Sequence, residues 1–124
     1  MINAKEIYST LLSNQKIVEL VSDDNIFNSY PNEVEDFPCV AFVDENQSDT
    51  EYADNKHMAD SCSVEIHIFS KKLENYVTTS KIGVIIAEVM NDDLWHCSMN
   101  REIGDPKPDV EHRVMRFNKS IYNN

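Results

Sequence analysis

The segment Ser61-Cys62-Ser63-Val64-Glu65-Ile66-His67-Ile68-Phe69-Ser70 decides the fold. Val64, Ile66 and Ile68 alternate with Glu65 and His67, and a period of two marks a strand with one face buried. Phe69 interrupts the alternation and is expected to cover an edge. Upstream, Pro31 and Pro38 push Tyr30 and Phe37 into extended geometry, because the proline ring crowds a helical backbone at the preceding residue. Pro38 can open a strand, since a first position tolerates the missing donor, and Cys39 to Val43 reads as that strand.

Between these two strands lie seventeen residues, Asp44 to Asp60, with no glycine, no proline and one lysine. The carboxylates of Asp44, Glu45, Asp49, Glu51, Asp54 and Asp60 repel one another and resist burial. The segment is therefore expected to project into solvent as an acidic hairpin arm over about residues 44–60. A small domain seldom carries so long a connection without using it.

Further out, Ile7, Leu11, Leu12, Val18 and Val21 recur near helical spacing, which predicts a helix from Asn3 to Val21 with Asn3 as N-cap and Glu6 in capping-box register. Ser22-Asp23-Asp24-Asn25 ends it, and a short extended piece follows at Ile26 to Tyr30. A second helix is expected from Leu73 or Glu74 to Asn91, where Ile82, Ile85, Ile86, Val89 and Met90 form an apolar stripe. Gly83 within it costs up to about 1 kcal/mol relative to alanine, a penalty that close approach to the sheet would explain. Two last strands, Leu94 to Ile103 and Val110 to Tyr122, are joined by Gly104-Asp105-Pro106-Lys107-Pro108, too rich in proline to pair. The order α-β-β-β-α-β-β describes one α+β domain over residues 1–124, with two helices on one face of a mainly antiparallel sheet.

A chain of 124 residues with 41% hydrophobic content can bury a core without staples, and two glycines with four prolines argue against a disordered linker. The net charge is −11. Residues 1–60 carry thirteen Asp and Glu against three Lys, whereas residues 61–124 carry nine acids against eight Lys and Arg. So much negative charge in one half disfavours binding to phosphate backbones. It suits a basic protein partner, or a lining that nucleic acid passes without adhering. Cys39, Cys62 and Cys97 cannot all pair within one chain, and a reducing compartment is the simpler reading. No stretch has the pattern of a signal peptide or of a bilayer-spanning segment, so a soluble protein made in the cytoplasm is expected, with no membrane partner.

The candidate chemistry is sparse. His57, His67, His96 and His112 with the three cysteines lack the close pairs of a zinc site, and Cys62 and His67 diverge on a regular strand, as do His96 and Cys97. No Gly-x-Ser-x-Gly elbow is present, and no cysteine lies at the start of an expected helix. The pairs Asp23-Asp24, Glu35-Asp36 and Asp92-Asp93 fall in loops or at helix ends, where solvated roles prevail. Two isolated glycines build no phosphate cradle. No catalytic residue, cofactor or metal is expected. Arg101, Arg113, Arg116 and Lys119, with Phe117 and Tyr122 interleaved, could form a nucleic-acid platform. The better reading is that they face carboxylates of the same chain or of a neighbouring subunit.

The sequence resembles, over nearly its full length, the tail completion or tail terminator proteins of long-tailed bacteriophages. The resemblance rests on Ile17-Val18-Glu19-Leu20-Val21 closing the first helix, and on the extended Ile26-Phe27-Asn28. It continues through Phe37-Pro38-Cys39-Val40-Ala41-Phe42, the strand from Cys62 to Phe69, the helix from Ile82 to Met90, and His112-Arg113-Val114-Met115-Arg116-Phe117. The sequence departs from many relatives in lacking a glycine-rich turn in the first hairpin. The resemblance implies a non-enzymatic virion protein that forms a ring, usually a hexamer, on the tail tube and meets a head-completion or connector protein. DNA would pass through the ring without specific binding. Asp49, Glu51 and Asp54 would then line the lumen or touch a partner, and Arg113 and Arg116 would pair with acids of the next subunit. An acidic decoy that mimics DNA explains the net charge directly, but it expects carboxylates over most of the surface, and the second half is nearly neutral.

Overall fold

A computed structural model describes residues 9–11, 13–21, 25–28, 37–44, 48–53 and 56–122. Its strands are β1 (Ile26–Asn28), β2 (Cys39–Asp44), β3 (Ser48–Ala53), β4 (Lys56–Lys71), β5 (His96–Ile103) and β6 (Val110–Tyr122). The helices are α1 (Gln15–Leu20) and α2 (Thr79–Asp92). The sheet order is β1-β2-β4-β6-β5, with β3 pairing β4 off this path. Among the described strands only β1 and β2 run parallel, and the remaining pairs are antiparallel.

The alternation in β4 works as expected on one face. Val64, Ile66 and Ile68 are fully buried, and they meet Val40 and Phe42 of β2 and Met115 and Phe117 of β6. Leu11, Ile17, Ile82, Ile86 and Met90 of the helices, with Val21 just after α1, close this core from above. Burying a side chain of that size contributes about 1.5–3 kcal/mol. Ile82, Ile86 and Met90 recur at a spacing of four, so one stripe of α2 faces the sheet. Gly83 lies on that stripe. A Cβ there would stand 3.3 Å from Met115 Sδ, 3.4 Å from Arg113 Cδ and 3.7 Å from Ile68 Cδ1. The glycine lets the helix approach the sheet closely.

The first helix is not continuous. The chain is helical at residues 9–11, leaves the helix at Ser13, and restarts at Asn14, whose side chain accepts from Lys16 N at 2.9 Å and Ile17 N at 3.2 Å. An asparagine favours this arrangement because its amide competes with the helical backbone. The expected N-cap Asn3, with Glu6 and Ile7, lies outside the described residues, as does Leu12.

Helix α2 begins later than expected, since β4 extends to Lys71 and residues 72–78 make the return. Thr78, in extended conformation, caps it by accepting from Lys81 N at 3.2 Å. Strand β6 then braces both ends of the helix. The Glu111 carboxylate accepts from Thr79 N at 2.7 Å, and Lys119 Nζ donates to Asp93 O at 2.7 Å. Each contact places the charge that the helix dipole favours at that end.

At the C-terminus of α2, Trp95 N donates to Met90 O at 2.9 Å and Leu94 N to Asn91 O at 3.0 Å. This is a Schellman motif, and its left-handed position is occupied by Leu94, with φ 68°. Leu94 therefore ends the helix rather than opening β5, as the sequence had suggested. Buried Trp95 follows it into the core beside Met90.

Two further expectations are corrected. Phe69 does not cover an edge: β4 is the centre of the sheet, and Phe69 is buried among Cys39, Val110 and partly buried Phe27 and Phe37. Nor is only one face of β4 buried, because His67 and Phe69 on the other face are also withdrawn from solvent. Lastly, β3 is a strand that the sequence reading of the element order did not contain. Its register on β4 runs from Ser48 opposite Ser61 to Ala53 opposite Lys56, with irregularities on either side of Glu51.

Candidate functional site

The face of the sheet opposite the helices carries a chain of ionisable side chains. Its members lie on β4, β6 and the β5–β6 connection. In the β4–β6 ladder His67 stands opposite Val114 and Phe69 opposite His112, so the two histidines are diagonal neighbours on one face. Their rings meet, with His67 Nδ1 2.9 Å from His112 Nε2 and centroids 5.1 Å apart. His67 Nε2 lies 2.6 Å from Glu65 Oε1, and Glu65 Oε2 lies 3.4 Å from an Arg116 guanidinium nitrogen. At the other end His112 Nδ1 lies 3.8 Å from Asp105 Oδ2. The row reads Asp105, His112, His67, Glu65, Arg116, passing from buried imidazoles to a partly exposed guanidinium. Phe69 stacks on His112 at 4.2 Å between centroids and closes one flank.

Proton placement in this row is constrained. An ionised Glu65 only accepts, so the proton between it and His67 belongs to Nε2. The contact between the rings has room for one proton, and protonating both facing nitrogens would set two N–H groups against each other. Burial is the main cause that pushes the His112 pKa from 6.5 down to about 4, and the charge of neighbouring His67 adds to it. Asp105 and Glu65 act in the opposite direction without overcoming the loss of solvent. His112 is therefore neutral at neutral pH. Among the described residues no three His, Cys, Asp or Glu side chains converge as a metal site requires. The arrangement is a hydrogen-bonded brace across β4 and β6.

The residues singled out from the sequence fall in separate places. Asp49 and Glu51 are in β3, on the hairpin with β4, and Asp54 lies outside the described residues. Arg113 and Arg116 are three apart on β6 and so point to opposite faces. Arg113, on the helix face, donates through Nε to Thr79 Oγ1 at 3.3 Å and through a terminal nitrogen to Asn100 Oδ1 at 3.0 Å. Arg116, on the other face, belongs to the Glu65 pair. The structure does not bring these two cations together. It does bring together His67 and His112, which are 45 positions apart. Both were in view as ionisable residues, but only the strand register reveals that they touch.

A second feature is an open, polar groove of about 350 Å³ between the start of α1 and the end of α2, lined by Thr10, Ser13, Asn14, Val89, Asp92 and Asp93. Leu94, beside it, is 80% exposed. No helix among the described residues is long and apolar enough to cross a membrane.

Compared with known proteins, the chain matches no protein-family model and no curated protein sequence. Solved structures do match. A chain from the virion of a native gene transfer agent particle superposes with a TM-score of 0.63 at 10% identity, covering 94% of this chain and 92% of that one. The bacteriophage SPP1 gp17 protein superposes with a TM-score of 0.55 at 16% identity, covering 97% of this chain and 88% of that one. The chain shares the fold of both. Matches at this identity speak to fold, and they extend over nearly the whole of each chain.

Proposed function

We propose that the protein is a structural component of a phage or prophage tail, which caps the tail tube and joins tail to head as a ring, possessing no enzymatic activity. The observation that carries this reading is the near-full-length likeness to a gene transfer agent virion chain and to SPP1 gp17. Those two share little sequence with this chain, so the common element is architecture, which is what an assembly part needs to keep. The partners are further copies of the chain, the tail tube protein, and a head-completion or connector protein.

Charge has a defined place in this reading. The hairpin of β3 and β4 carries Asp49 and Glu51, and Asp54 follows them. Facing a lumen, these acids repel phosphate, so DNA slides through without adhering. Arg116, with its guanidinium partly exposed beside Glu65, would pair with acids of a neighbouring subunit in this reading. Arg113 is already engaged by Thr79 and Asn100, so the same role for it requires a neighbour to approach over β5.

The test is to mix the purified protein with tail tubes grown from their own subunits. The expected result is a single ring at one end of each tube, seen by electron microscopy, and an arrest of tube growth. Tubes that lengthen unchanged and carry no density at either end would overturn the proposal.

A further inference from the structure

We draw no further inference here: the strongest candidate, the open polar groove between the start of α1 and the end of α2, lined by Asp92 and Asp93 with exposed Leu94 beside it, carries nothing, because two neighbouring carboxylates do not by themselves make a site and nothing in the structure shows what covers it.

Discussion

Lowering the pH should destabilise this protein through His112. The ring is buried, faces His67 and carries a pKa of about 4 in place of 6.5. A base whose folded pKa is depressed binds its proton more readily in the unfolded chain. The stability conferred by the neutral ring is thus complete above about pH 6.5, drains as the pH falls, and is gone below about pH 4. The full gap corresponds to about 3 kcal/mol, and integrating only from pH ~7 to pH ~5 gives about 2 kcal/mol. For a chain of this length that is a drop of roughly 6–9 °C in melting temperature. Relief of the protein's own negative charge over the same range works in the opposite direction, so the wild-type curve alone does not isolate the ring. The measurement is a difference: urea denaturation of wild type and His112→Gln at both pH values. Glutamine keeps an N–H and an acceptor but does not titrate. The variant should lose about 2 kcal/mol less than the wild type on acidification, whatever its stability at neutral pH. Equal losses in the two proteins would refute the reasoning.

Three further outcomes are expected. Gly83→Val should destabilise by about 2 kcal/mol in urea melts, because its methyl groups drive Met115 and Arg113 away from the α2 contact. Asn14→Ala should cost about 1 kcal/mol by removing the cap on α1, whereas Asn14→Asp or Asn14→Ser should retain most of it. Exchanging Asp49, Glu51 and Asp54 for Asn, Gln and Asn should leave the melting curve unchanged within about 0.5 kcal/mol. The same exchange should slow DNA passage or impair head–tail joining in a complementation assay, and unchanged infectivity would count against a lumen role.

What the sequence discloses follows the contrast between apolar and polar residues. Strand β6 is legible to its last residue, Val110 to Tyr122, because a proline-rich turn marks where it opens, and the core face of β4 is legible through Val64, Ile66 and Ile68 because these alternate with Glu65 and His67. Strand β3 is not, since a carboxylate-rich segment offers no apolar period to read. His67 reads as solvent-facing because alternation says only that it opposes Ile66 and Ile68. What buries it is the register that lays His112 beside it and Phe69 beyond. The break in the first helix hangs on one side chain, Asn14, which can serve either as a helix residue or as a cap. Leu94 misleads for a related reason. A leucine next to a tryptophan suggests the opening of a strand, and a glycine would have announced the helix end. The pairing of Arg113 with Arg116 in one role rests on their closeness in sequence, which on a strand is the spacing that separates them.

The bracing of α2 by Glu111 and Lys119 sets a gauge for evolution as well as for folding. Removing two residues from β6 between them would preserve which face each side chain occupies, so a hydropathy profile would register almost no change. It would nonetheless shorten the span by about 6–7 Å and leave one end of the helix without its counter-charge. Loops of this protein can grow or shrink with little penalty, but the distance from Glu111 to Lys119 cannot drift without the helix changing length in step.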